Sequence, residues 1–254
     1  MYDNHMLSIE VTGIKGGVGK STMAALLSLS LLRMGGDVLL MDLDPLGWSS
    51  YLLGIRGEGV LTSTHLDDSK EHWSDITFED RRLRVIKMLG NGQKLDLALE
   101  DYLRNEAGID QLKRVIASAL KDSFQFIIID SSLSSKNGTK TLEYLIRTIA
   151  KPSLHMRRLY VTDLNRISIE TLLNNIVKED VENLGVIINM VPPIPSHVEM
   201  AESYATMFKG VVSVIPFIEN LFNIETLSPS SIPPQVMDLA GIVHKPVPDF
   251  LLIV

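Results

Sequence analysis

Cysteine is absent from the 254-residue chain. That excludes disulfides, thiolate metal sites, iron–sulfur clusters and a cysteine nucleophile together. Long apolar runs are missing too. The longest mainly apolar stretch, MAALLSLSLLRM at 23–34, falls well short of the ~20 residues that a membrane-spanning helix needs. The first residues, MYDNHMLSIEV, place no basic segment ahead of an apolar one, so no secretory signal is read there. The expected compartment is the cytoplasm, nucleoid included. Basic residues are scarce in one region only: from 179 to 254 nine acidic residues face two basic ones, Lys209 and Lys245, which accounts for the whole net charge of −7. No internal repeat or low-complexity tract divides the chain, and its length suits one large α/β domain over 1–254.

Short apolar runs alternate with longer amphipathic stretches. That pattern predicts a doubly wound, mostly parallel sheet with helices on both faces. Strands are expected at 7–13, 37–44, 83–89, 124–130, 158–164, 184–191 and 211–217, and helices at 21–34, 95–104, 108–120, 138–150, 167–178 and 196–207. Several strands are almost unbroken Val/Ile/Leu, as a sheet covered on both faces requires. Two details fit this frame poorly. Glu10 stands inside the first, supposedly buried strand, and the stretch 57–82 has no clear period and reads as a long connection with room for a short helix. LSPSSIPPQ at 227–235 reads as a surface loop before a short last helix.

The chemistry concentrates in GIKGGVGKST, Gly13 to Thr22, between the first strand and the first helix. Gly16, Gly17 and Gly19 let successive backbone N–H groups turn inward around an anion, and the helix that starts beyond them points its positive end at the same place. Val18 and Thr22 complete the loop that would wrap the phosphates. Lys20 can reach β- and γ-phosphates, and the Ser21 hydroxyl is placed to ligate Mg2+. Position 14 is Ile where an ordinary P-loop has its first glycine, and Lys15 follows it.

KGGVGKST resembles the deviant Walker A motif of the ParA/MinD family of P-loop ATPases. In that family the extra lysine crosses a subunit boundary to the partner's nucleotide. The resemblance therefore implies ATP and Mg2+ as cofactors, a homodimer formed on ATP, and catalytic roles for Lys15 and Lys20. VLLMDLDPLG is similar to the family's switch I segment, so Asp42 would help hold the Mg2+ water shell and Asp44 would orient the attacking water. Leu46 stands where that segment usually has Gln. FQFIIIDSS resembles Walker B and delivers Asp130 to the C-terminal edge of the sheet, with Ser131, Ser132 and Leu133 in place of the usual continuation. Asn189, ending LGVIINMV, matches the family's adenine-binding asparagine, since one amide offers both donor and acceptor.

The missing cysteines disfavour the family's metal-cluster relatives. The terminal AGIVHKPVPDFLLIV, with two prolines and one lysine, lacks the amphipathic basic helix by which MinD-type proteins reach membranes. The nearest resemblance is to short ParA-type partition ATPases, whose ATP dimer binds DNA without sequence preference and is released by a ParB-like adaptor that stimulates hydrolysis. The alternative is a MinD-like ATPase that positions a protein or membrane cargo and never touches DNA. A DNA face would have to use the basic residues at 81–87 or 147–158, because the last third has almost none. A metabolic ligase on the same fold would leave Lys15 without a role. His65 and His72, near Asp67, Asp68 and Glu71, read as a polar loop rather than a metal site.

Overall fold

A computed structural model describes residues 6–61, 72–90, 92, 97, 106–131, 141, 144–146, 148–149, 154–176, 181–222 and 224–254. The elements follow in the order β1 (Met6–Thr12), α1 (Lys20–Arg33), β2 (Val38–Asp42), α2 (Trp48–Leu52), β3 (Ser74–Phe78), β4 (Arg81–Lys87), α3 (Glu106–Ala119), β5 (Phe126–Asp130) and β6 (Leu154–Thr162). Then come α4 (Arg166–Ile176), β7 (Glu182–Val191), α5 (Pro195–Ala205), β8 (Gly210–Pro216), α6 (Glu219–Phe222), α7 (Pro234–Ala240) and β9 (Phe250–Ile253). The strands form one sheet in the order β3-β4-β2-β5-β1-β6-β7-β8-β9, and every neighbouring pair is parallel except β3·β4. The expected mostly parallel α/β sheet is the architecture found.

Both faces of this sheet are packed. In β2, Val38 and Leu40 join one apolar cluster with α1 and α7, while Leu39 and Met41 join another with Leu112, Val115 and Ile116 of α3. Period-two alternation sends successive side chains to opposite faces, so a strand buried on both must be apolar throughout. A third cluster joins β6, β7 and β8 to Ile169, Leu172, Ala201 and Ala205 of α4 and α5. Helix α1 is buried on nearly every side, so the leucines of MAALLSLSLLRM are core as expected. Ser28 and Ser30, within its run of leucines, bury without cost in unmet polarity, because they donate to the carbonyls of Ala24 and Leu26, each at 2.8 Å.

Four features depart from the sequence expectation. The connection 57–82 contains β3 and the start of β4, a hairpin turned at Glu79 (φ 54) and Asp80. Its strand SDITF is short and at the sheet edge, and its inward face is only Ile76 and Phe78, partly buried, too brief an alternation to read from sequence. The terminal FLLI is an edge strand, β9, pairing with β8 rather than trailing free. A short helix, α2, follows the second strand. Glu10 is explained by its neighbours: Arg158, its register partner on β6, pairs with its Oε2, and the Ser131 hydroxyl donates to its Oε1 at 2.6 Å. The helix expected at 138–150 has helical positions at 141, 144–146 and 148–149, whereas that at 95–104 falls outside the described residues except for position 97.

Candidate functional site

The chain leaves β1 for β2 on one side of the sheet and leaves β5 for β6 on the other, so a crevice opens at the C-terminal ends of β1 and its neighbours. The loop Gly13–Gly19 fills it. Gly17 (φ 75) and Gly19 (φ 91) both adopt left-handed backbone, which turns consecutive N–H groups to one side. Helix α1 starts directly behind, with no side-chain cap and no acidic residue in its first turn. Its free N–H groups and positive end therefore remain available to an anion.

Lys20 lies over this cradle. Its Nζ donates to the Lys15 carbonyl at 2.9 Å. Burial lowers its pKa, and the charges of Asp130 and Asp44 work against that shift. Lys15 points elsewhere. Its Nζ sits 2.5 Å from Asp163 Oδ2 at the end of β6, with the lysine side chain 51% and the aspartate 23% exposed. Burial alone would raise the Asp163 pKa, but hydrogen bonds from Lys15 and Ser168 and the Lys15 charge hold it below its usual value.

The three candidate carboxylates arrive from adjacent strands. Asp42 and Asp130 end β2 and β5 and are register partners, so two carboxyl groups stand side by side in the interior. Asp42 Oδ2 accepts from Ser50 N at 2.8 Å and Oδ1 from Asp44 N at 3.0 Å, which hangs α2 and the turn before it on one buried side chain. Asp44 Oδ2 accepts in turn from Leu46 N at 2.8 Å. Leu46 itself is 64% exposed, its side chain lying outside this network.

Asp130 is 1% exposed, and its Oδ2 has no hydrogen-bond partner among the described residues. Burial first, and the Asp42 charge second, push its pKa well above the usual carboxylate range, with the Ser21 hydroxyl partly offsetting them. Asp42 is raised as well, chiefly by burial. An orphaned carboxylate oxygen beside a second carboxylate and a serine hydroxyl is a hard-oxygen donor set, the kind that suits a hydrated divalent cation.

Asn189 ends up on the loop itself, donating from Nδ2 to the Val18 carbonyl at 2.9 Å. The structure thus brings Gly16, Gly17, Val18, Gly19, Lys20, Ser21, Asp42, Asp44, Asp130 and Asn189 to one edge of the sheet. Thr22 lies one residue further into α1, and Lys15 sits on the rim. Ser132 and Leu133 lie outside the described residues, as does His65; among the described residues no acidic or histidine cluster could hold a metal by side-chain grouping alone.

Sequence reasoning missed Asp163, though the signal was present: YVTD ends a strand with Asp as IIID does. It also missed the exposed stack of Trp48 on Tyr51 (centroids 5.1 Å apart) with Arg56 3.8 Å from the Tyr51 ring; the i,i+3 spacing would have paired the two rings had helix α2 been expected. The basic clusters proposed for DNA are engaged internally. Arg81 pairs with Asp37, Arg82 with Asp122, and Arg84 with both Asp75 and Asp122, while Lys87 donates to the Gly57 carbonyl. His155 and Arg157 pair with Glu182, and Arg158 with Glu10; Arg147 and Lys151 lie outside the described residues.

The chain is 27% identical over 191 residues to the septum site-determining protein MinD of Synechocystis, a match covering 73% of this chain and 65% of that protein. It spans about half the length of other curated relatives that it matches. Among solved structures it resembles cobyrinic acid a,c-diamide synthase of Mycobacterium smegmatis (TM-score 0.62, 17% identity, covering 97% of this chain and 100% of that one). It also resembles MinD of Pyrococcus horikoshii (TM-score 0.57, 20% identity, covering 94% and 96%). No helix of the described residues is long and apolar enough to cross a membrane. Residues 9–226 match the model of the CobQ/CobB/MinD/ParA nucleotide binding domain, and the chain belongs to that family.

Proposed function

We propose that this chain is a Mg2+-dependent ATPase that works as a switch, dimerising on ATP and separating after a slow hydrolysis that a partner stimulates. One observation carries the reading: two lysines of one loop are placed for two different duties. Lys20 lies over the cradle, where it neutralises the phosphates of its own subunit's nucleotide. Lys15 lies on the rim, half exposed and turned away, where only phosphates approaching from outside could meet it. A second copy facing the first would bring such phosphates, and their charge needs a counter-ion. A ligase built on this fold would leave Lys15 idle.

The backbone of Gly16–Thr22 holds the phosphates, Ser21, Asp42 and Asp130 hold Mg2+ and its water, and Asp44 orients the attacking water. The ion supplies neutralisation of the charge that develops on the transferred phosphoryl group. Support for these ligands comes from two relatives, the M. smegmatis enzyme described with an ATP analogue and magnesium and P. horikoshii MinD described with Mg-ADP.

Two cargoes of different class are weighed: DNA, handled with a ParB-like adaptor, and a protein or membrane surface positioned without DNA. The internal ion pairs of Arg81, Arg82, Arg84, Arg157 and Arg158 favour the second, since nonspecific DNA binding needs free clustered cations. Light scattering should show the mass doubling with Mg2+-ATP, and Lys20→Ala should neither bind ATP nor dimerise. Normal ATP affinity in that variant would refute the site. A salt-titrated DNA-binding assay, with and without ATP, decides the cargo. ATP-dependent binding that falls steeply with salt would restore the DNA reading.

A further inference from the structure

A loop that turns its N–H groups inward must turn carbonyls outward, and a buried carbonyl needs a donor. Val18 is 1% exposed, and its carbonyl receives the Asn189 amide at 2.9 Å, with Asn189 itself buried. The approach is tight: a Cβ on Gly19 would lie 2.3 Å from Asn189 Nδ2, so this glycine is required by the asparagine as well as by its own φ of 91°. The backbone that delivers the amide is irregular at that point. Between Ile188 and Val191 the β7·β8 register shifts, with Ile188 opposite Val214 and Val191 opposite Pro216. One extra residue therefore stands on β7. Ile188 and Val191 are three apart yet join the same apolar cluster, which strict alternation forbids and a bulge permits. Inside the bulge, Met190 takes φ 56, a conformation that a residue with a side chain seldom holds without cause.

We propose that Asn189 is a positioning residue for the phosphate cradle, bracing the loop at Val18 so that one side chain sets both base contact and cradle shape. The proposal rests on the nucleotide-binding reading above and extends it. An amide has two donors and one acceptor. Val18 takes one N–H, which leaves the other N–H and Oδ1 for a purine edge. Base recognition and phosphate affinity are then coupled through a single strained bulge, and a ligand without a base still depends on Asn189.

The test is calorimetry with a base-free probe, Mg2+-tripolyphosphate, beside Mg2+-ATP and Mg2+-GTP, on wild type, Asn189→Ala and Asn189→Asp. Removing the brace should weaken tripolyphosphate binding about tenfold, because the buried Val18 carbonyl loses the Asn189 amide that donates to it. Asn189→Asp keeps the shape but sets a carboxylate against the Val18 carbonyl, so its loss should be at least as large; it also serves if the alanine variant fails to fold, which thermal melts of both will report. Unchanged tripolyphosphate affinity, with ATP-over-GTP preference lost, would overturn the brace and leave Asn189 as a base reader. If wild type binds neither ATP nor tripolyphosphate and Lys20→Ala changes nothing, the nucleotide reading itself has failed, and the proposal with it.

Discussion

Replacing Lys15 by alanine should separate nucleotide binding from dimerisation, and the structure sets the size of the effect. In the free chain Lys15 is held by Asp163 in a pair that is half open to solvent. Such exposed pairs are worth ~0–1 kcal/mol. A charge-assisted contact to a phosphate in a closed interface is worth about 1.5–3 kcal/mol. Moving Lys15 from Asp163 to a partner's phosphates therefore gains roughly 1–2 kcal/mol per site. Two symmetric sites double that, so losing both weakens the dimer by about 30- to 1,000-fold. Nucleotide affinity of the monomer should persist, because the glycines, Lys20, Ser21 and the α1 N-terminus are untouched.

Asp163→Asn supplies the opposite sign. It removes the competing charge from the rim but keeps an oxygen for Ser168 and the Asn165 N–H, so with two such sites the ATP dimer should tighten by up to about 30-fold. Sedimentation or light scattering across a protein dilution series with Mg2+-ATP, next to calorimetry on each monomer, measures both. A Lys15→Ala dimer as tight as wild type would refute the trans role. A weaker dimer in Asp163→Asn would show that the aspartate belongs to the assembled interface instead of competing with it.

How far the sequence carried depends on whether a residue's job is local. The cradle was legible because its parts are contiguous: glycines that turn the backbone, then Lys20 and Ser21 at a helix start. Asp42 and Asp130 were legible as strand-ending carboxylates, since a parallel sheet must deliver both to one edge. Their register pairing was not, because strand order is not written in any single strand. Glu10 looked like an error in a buried strand for the same reason. Its partners are Arg158 on β6 and Ser131 just past β5, the two strands that flank β1, and only the sheet order makes them neighbours. The basic run at 81–87 was illegible in the opposite way. In sequence it reads as a solvated basic face, the one a DNA contact would have to use, yet Asp37, Asp75 and Asp122, from three separate segments, converge on it. β3 and β9 escaped because each is a short edge strand, only partly buried at most, so burial imposes no strong period on them.

Asp44→Ala should bind Mg2+-ATP and dimerise but release little phosphate in a turnover assay, since the carboxylate proposed to orient water is gone while Asp42 still holds α2; wild-type turnover would place the catalytic carboxylate elsewhere. Because α2 hangs on Asp42 through Ser50 N, Mg2+-ATP should shift the fluorescence of Trp48 in a Trp73→Phe background, and a silent Trp48 would mean that switch I does not respond to the metal site. Asp130→Asn tests the paired carboxylates through stability. Burial and Asp42 raise the Asp130 pKa in the folded state, so folding binds protons there and stability is lost as pH rises through that raised value. An amide removes the buried like charge and should stabilise the nucleotide-free protein by ~1–2 kcal/mol at neutral pH. For a chain of this size that is roughly 2–8 °C in melting temperature. The gain should shrink as pH falls toward the unfolded carboxylate's 3.8, where wild type protonates and escapes the repulsion. Activity should move the other way, because the orphaned oxygen offered to Mg2+ becomes an amide. A melting difference that is constant with pH, or a variant less stable than wild type at pH 7, would show that Asp130 is not held against its charge in the free protein.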